Sequence, residues 1–361
     1  MTVVKAERVT QNTVITHLRD RNGYKYLGYL DEQENEPYIE DILKRFLVER
    51  QGCTDKQAEE ATKKLRDLVA QCHDKHTLLS ANYEIYNLLR YPTSVSQGLG
   101  QVTKQIRLID WQNPLNNFFH IAEEVTVKRA SGDGTHRRPD VVIYVNGIAL
   151  VVIELKKASV SALDAIHQLI RNQEDGQIPA FFTTAQLLLA GSESEGLSYG
   201  TILTTDKFYL RWKEPTGAHY PKPTKEPSPF TTPFPASEFK NELYRSLLQM
   251  LEPKRLLDFI YNCIIFDGGI KKVARPNQYF ALQACRQRCI DKENGIIWHS
   301  QGSGKSLTMI WLAQWILENI TNSRVVIITD RDELDSQITA GFKKAKFHPC
   351  RATSGKHLID M

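Results

Sequence analysis

Gly295-Ile-Ile-Trp-His-Ser-Gln-Gly-Ser-Gly-Lys-Ser306 is the stretch on which the reading of this chain turns. Ile296 to Trp298 is an apolar run that predicts a short buried strand. A Gly-containing loop follows, then Lys305, Ser306 and an apolar segment, Leu307 to Ile316, long enough for a helix. Strand, Gly-rich loop, Lys-Ser and helix in that order are the signature of a phosphate-binding P-loop. Glycines let backbone N–H groups turn inward around an anion, and the helix N-terminus adds partial positive charge. Gly302, Ser303 and Gly304 are the expected cradle. Lys305 is placed to reach the β- and γ-phosphates of a nucleotide, and the Ser306 hydroxyl to ligate Mg²⁺. His299 stands where the usual pattern has Gly. The alternative is a surface Gly-Ser turn, which the flanking strand and helix patterns disfavour.

The 361 residues suffice for two domains or more. A hydrophobic content of 41% and a charged content of 24% are ordinary for a globular protein. Net charge is +4, so nucleic-acid binding has to be argued from motifs rather than from charge. The first residues contain no apolar signal core, and no run approaches the ~20 apolar residues of a membrane span. That predicts a cytoplasmic protein. Six scattered cysteines predict reduced thiols, without a zinc-type spacing.

Helical spacing recurs over residues 6–19, 38–50, 55–70, 80–89 and 161–173, and extended segments over 102–110, 118–128, 182–189 and 199–212. Seven prolines lie between Pro215 and Pro235, which excludes a helix or central strand there and predicts a linker, or a long excursion at a domain boundary, over 215–240. Residues 241–264 are helical again, interrupted at Pro253, and a strand is expected over 324–329. The expected domains are therefore 1–214 and 241–361.

A second constellation surrounds Asn146-Gly147, the strongest short hairpin signal, between the apolar runs Val141 to Val145 and Ile148 to Lys157. Asp140 stands at the mouth of the first strand. Glu154 and Lys156, two apart on the second, share a face. Two carboxylates can hold Mg²⁺, and a neighbouring lysine can orient water or offset charge on a phosphate. Register decides whether the carboxylates meet. A two-residue turn pairs Val145 with Ile148 and sets Asp140 opposite Ile153, on the face away from Glu154. A three-residue loop, or an equivalent bulge, puts Asp140 and Glu154 on one face. The expectation is thus a longer loop or a bulge, against the alternative of an ordinary hairpin with surface charges.

Pro139-Asp140 followed by Glu154-Leu-Lys156 is the arrangement of PD-(D/E)xK nucleases. The order of nuclease hairpin, Pro-rich connection and helicase-type P-loop resembles the restriction subunit of type I restriction-modification enzymes. Ile148 to Lys157, Asp267-Gly-Gly-Ile-Lys-Lys272, Asn277-Gln-Tyr-Phe280, Trp298 to Ser306 and Thr329 to Gln337 carry the likeness. The fold it implies is α/β: a PD-(D/E)xK (RecB-like) nuclease domain, then the start of a RecA-like superfamily 2 helicase domain. It implies ATP and Mg²⁺ as cofactors, with Gln278 reading the adenine, and Asp140 and Glu154 binding the nuclease metal beside Lys156. Gln168 matches the Gln of the family's Gln-x-x-x-Tyr motif, while Asn172 departs from its Tyr. The implied partners are duplex DNA and the methyltransferase and specificity subunits. The implied activity is ATP-driven translocation with non-specific, Mg²⁺-dependent cutting of unmethylated DNA. Because the chain ends at Met361, before a second RecA-like domain, a fragment that cannot run a motor alone is expected. Two other readings stand beside this one: a stand-alone helicase-nuclease, and a non-catalytic remnant that only docks on the methyltransferase core.

Overall fold

The structure, a computed structural model, describes residues 2–32, 34–96, 103–214, 240–345 and 347–360; most of the Pro-rich 215–240 stretch lies outside them. It separates into two compact units, Met1–Tyr261 and Asn262–Met361.

In chain order the first unit runs α1 (Thr2–Asn22), β1 (Lys25–Tyr29), α2 (Glu40–Glu49), α3 (Asp55–Val69), α4 (Lys75–Arg90), β2 (Thr93–Val95), β3 (Lys104–Ile106), β4 (Phe119–Glu123), β5 (Val127–Lys128) and β6 (His136–Arg137). It continues with β7 (Val141–Val145), β8 (Ile148–Lys156), α5 (Ala162–Asn172), β9 (Leu187–Ser192), β10 (Gly196–Gly200), β11 (Leu210–Arg211), α6 (Glu242–Met250) and α7 (Pro253–Asn262). Seven strands form one mixed sheet in the order β1-β4-β7-β8-β9-β10-β11. The β1/β4 and β8/β9 pairs are parallel and the other pairs antiparallel. Every residue of β7, and every residue of β8 up to Leu155, is buried, as expected of central strands covered on both faces. α5 is the crossover that a parallel β8/β9 pair requires. Its buried Ala165, Ile166 and Leu169 pack on one face of the sheet with Ala122, Val142, Val152 and Leu188.

Helices α6 and α7 lie in the first unit, so the compact division falls after Tyr261 rather than at residue 241, where the sequence places the start of the second domain. Their leucines make the difference: Leu243, Leu247, Leu248, Leu256 and Leu257 are buried. The Asn22 amide and Tyr24 hydroxyl donate to the carbonyls of Leu248 (3.1 Å) and Leu251 (2.8 Å). Pro253 opens α7 at its first position, where its missing N–H costs nothing.

The second unit holds β8-independent elements of its own: the hairpin β12 (Ile264–Asp267) and β13 (Ile270–Val273), then α8 (Pro276–Asp291), α9 (Lys305–Asn319), α10 (Asp332–Lys344) and α11 (Gly355–Asp360). Two sequence expectations are corrected here. Among the described residues, neither 296–298 nor 324–329 is paired into a sheet. Ile296 and Trp298 are 90% and 92% exposed rather than buried. Parallel strands are stable only with both faces covered, and these two runs lack that cover. Val325 to Thr329 instead line, with Ala313 and Leu317 of α9 and Ile338 and Phe342 of α10, a cavity of about 650 Å³. Among the described residues, no helix is long and apolar enough to cross a membrane.

The hairpin turn is locked from outside. Asn146 (φ 52°) and Gly147 (φ 81°) both take the left-handed conformation of a two-residue primed turn. The Asn146 side chain donates to Leu108 O and Asn117 Oδ1 and accepts from the Phe118 N–H. The Ile39 N–H donates to Gly147 O, and a Cβ on Gly147 would fall 2.5 Å from the Ile39 carbonyl oxygen. Gly147→Ala combines a left-handed alanine with an overlap on backbone. It is expected to cost about 2 kcal/mol or more, read as a shift of the denaturant midpoint at unchanged slope.

Candidate active site and phosphate-binding loop

The tip of the β7/β8 hairpin and its open end keep different registers. At the tip Val145 pairs with Ile148 and Tyr144 with Ala149; beyond it Ile143 pairs with Val151, Val142 with Val152 and Val141 with Ile153. Leu150 is left over, a bulge on β8. The turn has two residues, which alone would put Asp140 and Glu154 on opposite faces. The extra residue restores the parity, and the next step of the ladder sets Asp140 opposite Glu154. The bulge, not a longer loop, is what the structure uses.

The two carboxylates are 8% and 0% exposed. Asp140 Oδ2 accepts the Leu155 N–H at 2.7 Å. Glu154 is held from the helix side: Gln168 Nε2 donates to Oε2 at 2.7 Å, and Asn172 Nδ2 lies 3.4 Å from Oε1. Gln168 and Asn172 are four apart on α5 and so share one face. Burial first, and then the charge of Asp140 and a hydrogen bond with it, push the Glu154 carboxyl well above the usual carboxylate range; Lys156 pulls the other way. Lys156 is half-buried at the end of β8, on the face of Glu154.

The donor set fits a hard divalent cation. Two adjacent carboxylates in a dry corner repel one another, and either a proton or a cation relieves that repulsion. Among the described residues no three His, Cys, Asp or Glu side chains converge as a ready cage. An ion held by Asp140 and Glu154 would therefore keep several waters, as Mg²⁺ commonly does. Sequence reasoning missed a third carboxylate. Glu124 follows β4 with a left-handed backbone (φ 47°), and its N–H donates to Asp140 O at 3.1 Å. Burial, then the charge of Asp140, raises its carboxyl also. The signal lay in the alternating 118–128 segment, but only the strand order reveals it. Glu7, which the family resemblance also offers as an acidic residue on the first nuclease helix against the alternative of a solvated helix face, has a side chain that lies outside the described residues.

In the second unit, Gly302 (φ 77°) and Gly304 (φ 83°) bracket Ser303 in left-handed conformation, and α9 begins at Lys305. Lys305 Nζ folds back over the loop, donating to the carbonyls of His299 (3.1 Å) and Ser300 (3.0 Å). Ser306 occupies the first turn of α9. Gln278 is 2% exposed in the first turn of α8. Its Oε1 accepts the Arg275 N–H at 2.8 Å and its Nε2 donates to Gly304 O at 2.9 Å. Its amide thus ties the start of α8 to the loop, and a Cβ on Gly304 would fall 2.4 Å from that Nε2. The structure brings Gln278, Gly302, Ser303, Gly304, Lys305 and Ser306 together around one helix N-terminus.

A family profile described as Type I restriction enzyme R protein N terminus matches residues 5–207, and one described as SWI2/SNF2 ATPase matches 277–361. The Type I restriction enzyme HindI endonuclease subunit of Haemophilus influenzae is 29% identical over 290 residues, 74% of this chain and 26% of its own length. A Methanocaldococcus jannaschii relative is 27% identical over 380 residues, 98% of this chain and 35% of its own. The SsaAORF53P endonuclease subunit of Staphylococcus saprophyticus is 28% identical over 246 residues, 66% of this chain and 24% of its own. The chain spans about a quarter to a third of the length of these curated relatives.

The raised Glu154 carboxyl makes stability depend on pH. A carboxyl whose folded pKa is raised holds its proton more tightly in the folded state. Its contribution is fully present below the unfolded value of about 4.3 and is lost as pH climbs from there to the raised folded value. Without divalent cation, Glu154→Gln is expected to raise the thermal midpoint at alkaline pH and to flatten its fall between acidic and alkaline pH. Thermal melts of both proteins across that range check it.

Proposed function

The chain belongs to the type I restriction enzyme R protein family, and from that premise we propose that it carries the DNA-cutting centre and the nucleotide-binding loop of an ATP-dependent restriction endonuclease. The reading rests on one observation above all: the β8 bulge that aligns Asp140 with Glu154 beside Lys156. In this reading the first unit is a PD-(D/E)xK nuclease, and the second is the start of a RecA-like motor domain of the SWI2/SNF2 class.

Asp140 and Glu154 would hold Mg²⁺, which when bound offsets charge on the phosphate and makes water a better nucleophile. Gln168 and Asn172 keep the Glu154 carboxylate aimed, so its oxygens do not swing out of the site. Lys156 is placed to orient a water and to meet the negative charge that develops on phosphorus. Recognition by phosphate contacts makes cutting indifferent to sequence. Target choice falls to a specificity subunit, and self-protection to a methyltransferase subunit. Gly302 to Gly304, Lys305 and Ser306 would cradle the phosphates of ATP with its Mg²⁺, and Gln278 sets the loop against α8 while reading the adenine. Translocation of duplex DNA needs the rest of the enzyme.

Circular duplex DNA with Mg²⁺ tests the cutting centre, first with the chain alone and then with the complete enzyme. Glu154→Ala and Lys156→Ala are each expected to lower nicking by about a hundredfold or more. Nicking by both variants at the parent rate would overturn the assignment. In the second unit, Lys305→Ala is expected to weaken a fluorescent ATP analogue about tenfold or more, since it removes a charge-assisted contact; unchanged affinity would remove Lys305 from the phosphate site.

A further inference from the structure

The carboxylates of the first unit form a row, not a pair. β4, β7 and β8 are neighbours in the sheet. Glu123 pairs with Val141, and Val141 with Ile153. One step further along the same ladders come Glu124, Asp140 and Glu154, one from each chain segment. The Glu124 N–H on Asp140 O and the Leu155 N–H on Asp140 Oδ2 fix Asp140 between the other two. Ala122, Val142 and Val152 each lie two positions from them along their strands, in the α5-facing core, so the row ends that face where the core gives way to the strand mouths. Glu124 is half-buried, and its charge reaches both Asp140 and Glu154.

A second feature points to a ligand in this corner. Asn172, 1% exposed, turns its Nδ2 to Glu154, and its Oδ1 is buried without a hydrogen-bond partner. Buried polar atoms are nearly always satisfied, and a hydrated cation carries outward-pointing O–H donors that satisfy such acceptors.

We propose that Glu124 is the outer carboxylate of the nuclease centre, holding through water the divalent cation whose inner ligands are Asp140 and Glu154. The inference rests on the nuclease reading above. Water-mediated contact matches a row that does not close into a three-carboxylate cage. Hydrogen bonds to waters of the ion's shell set affinity and orientation as inner ligands do.

The test is Mn²⁺ binding to the whole 361-residue chain without nucleotide, by the paramagnetic resonance signal of free Mn²⁺. The parent is compared with Glu124→Gln, Glu124→Asn and Glu154→Gln. Asn suits the left-handed backbone better than Gln, so the pair separates loss of charge from loss of fold, which melting without metal monitors. Both Glu124 variants are expected to bind about tenfold or more weakly without a fall in the melting midpoint, and Glu154→Gln to lose the site. Glu124 variants that bind like the parent, while Glu154→Gln does not, overturn the role of Glu124 and leave the nuclease reading intact. A parent that binds no Mn²⁺, or a Glu154→Gln that binds normally, removes the metal centre and the role of Glu124 together.

Discussion

One extra residue in β8 decides what the first unit can do. Side chains alternate faces along a strand, so a hairpin with a two-residue turn and perfect pairing would separate Asp140 from Glu154 by the thickness of the sheet. Leu150 breaks the count. The bulge can serve only if the turn cannot slip, because a slip of one residue would undo it. Asn146 fixes the turn with side-chain bonds to Leu108, Asn117 and Phe118, and Gly147 lies so close to Ile39 that no side chain fits. Conformational constraint at the turn and chemistry at the strand mouth, several residues away, are one device.

That device concentrates negative charge where water is scarce. A fully buried carboxylate is unfavourable unless it is protonated, paired or metal-bound. The surroundings of Glu154 offer two amide donors and one nearby lysine, which steady the group without neutralising it outright. Two buried carboxylates side by side fit a place that receives a cation.

Much of this was legible in the sequence, and the limits have physical causes. The Asn-Gly turn, the two central strands, α5 and both motifs follow from local patterns, because apolar periodicity and turn chemistry act over a few residues. The need for a bulge followed from counting, but its position did not: Leu150 is one more leucine in an apolar run. Glu124 was out of reach because its neighbours are 16 and 30 positions away in the chain, and only strand order brings them together. α6 and α7 look like ordinary amphipathic helices, and amphipathicity says that a face is buried without saying against what.

The second unit shows the same limit in reverse. Its Gly-containing turn runs straight into α9 as the local pattern predicts, since left-handed glycines and a helix N-terminus are local properties. The strand predicted just before the loop is not there, although Ile296, Ile297 and Trp298 are as apolar as β7. The difference is neighbours: β7 lies between β4 and β8 with helices on its faces, whereas 296–298 has no ladder partner among the described residues. A strand is a relation between segments, so an apolar run specifies only half of it. A glycine turn leading into a helix N-terminus is nearer to being a property of one segment, and for that reason it can be read from twelve residues while the carboxylate corner has to be read from a sheet.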